Sequence, residues 1–124
     1  MSDIIDPASL IAPRRVKIPP FNVMVGPVTH LAQERERLAG LTYEGFTVTQ
    51  MGATIGGLVE GVDLTKPLSD ELVAELRRCL LDFKVIFFRN QPLTGTQHVE
   101  LARRFGDLEI HPFIPSNTDH PELV

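Results

Sequence analysis

The chain has 124 residues, enough for one ordinary domain; hydrophobic residues make up 43% and charged residues 23%. A formal charge of −4 leaves no basic footprint for nucleic acid or an anionic membrane, and no apolar run approaches membrane-spanning length. The single cysteine, Cys79, excludes an internal disulfide and a cysteine-based zinc cluster.

The opening "MSDIIDPASLIAPRR" begins with acidic residues and is broken by proline, so it does not read as a secretory signal, and a cytoplasmic location is expected. Residues 1 to about 27 read as an extended arm, because the prolines of "APRRVKIPPFNVMVGP" forbid a long helix or a central strand. "THLAQERERLAG" fits a short helix, with Thr29 as N-cap, Gly40 as stop, and a stripe of Leu31, Leu38 and Ala39. Residues 1–42 are therefore set apart as an arm and short helix, and the compact region is placed at 43–124.

"GFTVTQM" alternates Phe46, Val48 and Gln50 against Thr47, Thr49 and Met51, which predicts a strand. "ATIGGLVEGVDL" predicts a second, with a glycine-permitted kink at Gly56 and Gly57 and a turn from Gly61 into Asp63. No lysine follows these glycines at Walker spacing, so they read as close backbone approach rather than a phosphate loop. "KPLSDELVAELRRCLLDF" is the clearest helix: Ser69 as N-cap, Asp70 and Glu71 at the positive end of the dipole, and Leu68 and Val73 as a staple. Its buried face is assigned to Leu72, Leu76, Leu80 and Phe83, flanked by Val73 and Cys79, with Arg77 and Arg78 exposed. "KVIFFR" holds four apolar residues in a row, as in a strand covered on both faces. "NQPLTGTQHVELARRFGD" predicts a helix with a Thr94–Gln97 capping box, an apolar stripe of His98, Leu101, Ala102 and Phe105, and Gly106 as a left-handed end.

A non-haem iron site needs two histidines and a carboxylate on one side of the metal. His98 and Glu100 lie two apart on a helix, where they point to nearly opposite sides. His120 and Glu122 sit in an extended His-Pro-Glu segment, and a surface turn outweighs chelation there. His111, between Ile110 and Pro112, could donate to an anion, a bond contributing about 1.5–3 kcal/mol. On the residues alone, a surface loop histidine stays ahead of that role. No serine occupies a nucleophile elbow, and Asp63 and Asp107 are explained by turns.

The ordered set "GATIGGLVEGVDLTKPLSD", "KVIFFRNQPLT" and "ARRFGDLEIHP" resembles the opening part of the taurine dioxygenase (TauD/TfdA) family over residues of about 46 to 113. The resemblance implies an α/β (α+β) fold: the N-terminal part of a double-stranded β-helix, or jelly roll, with helices outside. It implies oxidoreductase activity with Fe(II), 2-oxoglutarate and oxygen on a small anionic substrate. It also lifts His111 into the substrate pocket as the anchor of the anion. Ile114 stands where taurine dioxygenase has a pocket tyrosine, and it cannot donate a hydrogen bond. An alkyl sulfate, another sulfonate or a carboxylic acid therefore stands beside taurine as substrate. The family's iron ligands, a W-H-x-D motif and a distant histidine, and its 2-oxoglutarate arginine match nothing in these 124 residues. The domain is thus expected to be incomplete and the chain alone inactive, with unpaired strand edges that favour instability or homo-oligomers. The alternative reading is a non-catalytic fragment or interaction module.

Overall fold

A computed structural model describes residues 31–124 with their side chains and, before them, the backbone of two strands and the first turn of a helix. In chain order the elements are β1 (Arg14–Ile18), β2 (Phe21–Val25), α1 (Thr29–Ala39), β3 (Thr47–Gln50), β4 (Gly57–Glu60), α2 (Asp70–Phe83), β5 (Ile86–Phe88) and α3 (Gly95–Arg103). This is a mixed α/β arrangement. The order from β3 onward is the one the sequence predicts.

The arm is corrected in part. β1 and β2 form an antiparallel pair running from Arg14 opposite Val25 to Ile18 opposite Phe21. The paired residues Arg14–Ile18 and Phe21–Val25 include no proline, so each keeps its backbone donor. The remainder of residues 1–27 lies outside the described residues. Thr29 is the first residue of α1 rather than its cap, and of the expected stripe only Leu38 is buried; Leu31 and Ala39 are exposed.

β3 and β4 pair antiparallel and β4 and β5 pair parallel, giving the order β3-β4-β5. A parallel neighbour requires a crossover, and α2 supplies it. Val48, Gly57, Val59, Ile86 and Phe88 form the face beneath α2, while Thr49, Leu58 and Phe87 align across the other face. Gly57 is where sheet and helix come closest. A Cβ there would lie 2.9 Å from Val48 Cγ1 and 3.0 Å from Phe83 Cγ, which bears out the reading of close backbone approach. Gly56, at φ +98°, makes the turn that precedes it.

The core joins Leu38, Phe46, Val59, Val62 and Leu64 to the α2 residues Leu76, Cys79 and Phe83. The α2 face is rotated slightly from expectation. Val73, Leu76, Cys79 and Phe83 are its buried residues, whereas Leu72 and Leu80 are half-buried. The Ser69 hydroxyl accepts from Leu72 N–H at 3.1 Å, as its N-cap role requires. At the other end Lys84 adopts a left-handed conformation (φ 69°) and donates its N–H to Leu80 O at 2.7 Å.

β5 does not fit the expectation of a strand covered on both faces. It lies at the sheet edge, and Phe87 is 46% exposed. Residues 85–88 are uniformly apolar, but α2 covers only one side of them here. α3 carries the predicted capping box: Thr94 Oγ1 accepts from Gln97 N–H at 3.2 Å, and Gln97 Oε1 accepts from Thr94 N–H at 3.0 Å. Its buried residue is Val99, not His98, which is exposed. The helix closes in a tightened turn, Arg104 N–H to Leu101 O and Phe105 N–H to Ala102 O, so Gly106 does not take the expected left-handed form.

Candidate functional site

Polar side chains bind α3 and the turn after β5 to the loop after β4. Gln91 Oε1 accepts from Leu64 N–H at 2.8 Å, and its Nε2 donates to Val62 O at 3.0 Å and Arg89 O at 3.2 Å. Gln97 Nε2 donates to Thr65 O at 3.0 Å. Arg104 reaches Leu68 O at 3.0 Å and Asp70 Oδ1 at 2.7 Å. Asp63 holds the same loop, accepting from both the N–H and the hydroxyl of Thr65, and these bonds push its carboxyl below the ordinary range. The "GVDLTKP" and "NQPLTGTQ" motifs therefore interlock, and together they launch α3 and the segment that carries His111.

His111 lies on the exposed segment beyond α3. Its Nδ1 accepts two backbone hydrogen bonds, from Phe113 N–H at 3.2 Å and from Ile114 N–H at 3.0 Å. With Nδ1 so engaged, Nε2 is the ring nitrogen left for a ligand. The Phe113 ring meets the imidazole edge-on, with centroids 6.3 Å apart at 71°. Its chain neighbours Ile110 (55% exposed), Phe113 (88%) and Ile114 (50%) present accessible apolar surface. Ile114 thus contributes both its side chain and its backbone N–H.

The backbone role of residues 113 and 114 was missed at the level of sequence. The signal is a histidine followed by proline: a side-chain acceptor at the first position of a turn, with N–H groups two and three residues on, as serine, asparagine and aspartate do more often.

The other candidates are dispersed. His98 and Glu100 are exposed on successive sides of α3. His120 Nε2 lies 3.3 Å from Thr96 Oγ1, and Glu122 pairs with Arg103 Nη2 at 3.1 Å. Bonds from Leu123 N–H to His120 O and from Asn117 N–H to Leu123 O make residues 117–123 a turn against α3, as expected. Among the described residues no three histidine, cysteine, aspartate or glutamate side chains gather into a group able to hold a metal ion. A two-histidine, one-carboxylate centre therefore does not fit the residues described.

Cys79 is fully buried, and burial pushes its thiol up to about 11, so it is a core residue rather than a nucleophile. Tyr43 donates to Asp82 Oδ2 at 2.9 Å and stacks on Phe46, and burial raises its phenol. A depression of about 390 Å³ lies between the loop 64–68 and α3, lined by Thr65, Lys66, Gln97, Glu100 and Arg104 among others; it includes neither His111 nor Ile114.

Residues 44–124 match the model of the "Taurine catabolism dioxygenase TauD, TfdA family". The match covers well over half of the chain, and the chain belongs to that family. It is 36% identical over 72 residues to an (S)-phenoxypropionate/alpha-ketoglutarate-dioxygenase of Sphingobium herbicidovorans, covering 58% of this chain and 25% of that protein. It is 41% identical over 51 residues to the alpha-ketoglutarate-dependent 2,4-dichlorophenoxyacetate dioxygenase of Cupriavidus pinatubonensis, covering 41% and 18%. A solved taurine dioxygenase from Burkholderia xenovorans superposes with a TM-score of 0.58 at 40% identity, covering 62% of this chain and 28% of that one. The chain thus spans about a quarter or less of the length of the curated relatives it matches. Among the described residues, no helix is long and apolar enough to cross a membrane.

Proposed function

We propose that this chain supplies the substrate-anchoring part of a 2-oxoglutarate-dependent, Fe(II)-dependent dioxygenase that hydroxylates a small organic anion. The observation that carries the reading is His111: within the family match, its imidazole offers an Nε2 donor amid exposed Ile110, Phe113 and Ile114. A donor surrounded by apolar surface suits an acid with an apolar body. Aryloxyalkanoates of the kind named for two relatives fit better than taurine, because Ile114 offers hydrocarbon where a phenol would offer a second donor. Alkyl sulfates and apolar sulfonates share that chemistry.

In this reading β3, β4 and β5 begin a double-stranded β-helix, with α2 on its outer side. Iron and 2-oxoglutarate would supply the oxidation, and no group among the described residues holds the metal. The residues of this chain orient the substrate: His111 donates to the anion, and the flanking apolar side chains exclude water from its body. A bond from Nε2–H to a carboxylate contributes about 1.5–3 kcal/mol.

Titration of the 15N-labelled chain with phenoxyacetate, against 2-phenoxyethanol as the uncharged control, tests the reading. Saturable shifts at residues 110–114 with the acid and not the alcohol are expected. An equal response to both, or none, refutes it.

A second reading, an interaction module without catalysis, draws on the uncovered sheet face at Phe87, Met51 and Ile55. The phenoxyacetate titration decides between the two: acid-specific shifts at residues 110–114 rule out a module without ligand binding, and their absence favours it.

A further inference from the structure

The backbone around His111 fixes more than its position. Two N–H groups, from Phe113 and Ile114, converge on Nδ1 at 3.2 and 3.0 Å. That nitrogen cannot carry a proton without setting N–H against N–H, and the two amides would then lose their acceptor. Turning the ring over would be equally unfavourable, because it would place a carbon where Nδ1 now accepts. The sequence builds this arrangement locally. Pro112 fixes its own φ and the next two amides fold back over the imidazole, with the Phe113 ring edge-on to it at 71°.

We propose that the Phe113 and Ile114 amides are positioning groups that lock His111 as the Nε2–H tautomer, so that this part of the site takes anionic oxygen groups and turns away ammonium groups. The inference rests on the proposed substrate-anchoring role of His111 and adds a rule of selection to it. A carboxylate, sulfonate or sulfate ester presents a lone pair to Nε2–H and is taken. An ammonium group finds no lone pair on the ring, since the one on Nδ1 is already shared between two amides, and the Ile114 side chain offers none. The selection is made by the turn and not by a charged residue.

The lock can be seen directly by NMR on the full 15N-labelled chain in mildly alkaline solution. Long-range 1H–15N correlation is expected to show His111 Nδ1 as the unprotonated nitrogen and Nε2 as the protonated one. N–N scalar couplings across hydrogen bonds are expected from the Phe113 and Ile114 amides to Nδ1. A protonated Nδ1, averaged ring nitrogens, or loss of both couplings would overturn the proposal.

Two variants separate the lock from the anion-binding role. His111→Asn leaves a side-chain oxygen near the place of Nδ1, so the two amides are expected to stay protected from exchange while phenoxyacetate binds at least tenfold more weakly. His111→Gln moves its amide toward the place of Nε2, so amide protection is expected to be lost. Equal protection of these amides in wild type, H111N and H111Q would also sink the lock. Couplings present with no response to phenoxyacetate would uphold the lock and overturn the substrate reading. Phenoxyacetate bound no better than 2-phenoxyethylamine would overturn the rule of selection.

Discussion

Gln91→Ala should loosen the joint between the loop after β4 and the turn after β5. The Gln91 side chain makes two part-buried bonds, to Leu64 N–H and Val62 O, and one exposed bond to Arg89 O. Each part-buried bond contributes about 1 kcal/mol net, and an N–H left without a partner adds to the loss. Discounting the exposed bond, the expected cost is about 2–3 kcal/mol. With a urea m-value of roughly 1–2 kcal/mol/M, the unfolding midpoint should fall by about 1–3 M. Gln91→Glu is the informative partner variant. It keeps the acceptor for Leu64 N–H but turns a second oxygen toward two carbonyls, so it should be destabilised at neutral pH and recover as the carboxyl is protonated. Urea titrations followed by far-UV circular dichroism measure both. A Q91A midpoint within about 0.3 M of wild type would refute the account of the joint.

Gly57→Ala should cost about 1–3 kcal/mol by overpacking, since its Cβ would meet Val48 and the Phe83 ring at 2.9–3.0 Å; an unchanged thermal midpoint would show that the sheet and α2 can separate freely. Cys79 makes stability depend on alkaline pH. Its folded value near 11 exceeds its ordinary value of 9.0, so the contribution is complete below pH 9, falls by about 2–3 kcal/mol as pH rises to 11, and is then gone. Cys79→Ala should flatten that fall, and the native thiol should react with a disulfide reagent only at the rate of unfolding. Phe87→Glu should reduce self-association and dye binding at the open sheet face without lowering stability; sedimentation identical to wild type would place any association elsewhere.

Features governed by short-range chemistry were legible in the sequence. Ser69 and Thr94 cap their helices through a hydroxyl and an N–H three residues on, and that spacing is visible without a fold. The alternation of Phe46, Val48 and Gln50 likewise survives into β3, with Thr47 and Thr49 exposed. Features that depend on a distant partner were not legible. "KVIFFR" is apolar throughout, but whether Phe87 is covered depends on what packs beyond β5. His98 occupied a plausible stripe position, yet α3 turns Val99 inward instead, because the segment 108–124 folds back beside it. At His111 the residue type and its neighbours suggested a donor, but the two hydrogen bonds that Nδ1 accepts needed the turn geometry around Pro112.

The way α3 is attached bears on how the molecule opens. Val99, its one buried residue, stands apart from the main core cluster, and the helix is otherwise tethered by Gln97, Arg104 and the flanks of Leu101 and Phe105. Such a layer behaves as a foldon of low protection, one that peels away while α2 and the sheet persist. Native-state hydrogen exchange would then show α3 and residues 108–124 opening together, ahead of global unfolding. The histidine assigned to the ligand rides on the part of the chain that undocks first, so occupancy by an anion would be felt as a slower breathing of the whole carboxy-terminal flap.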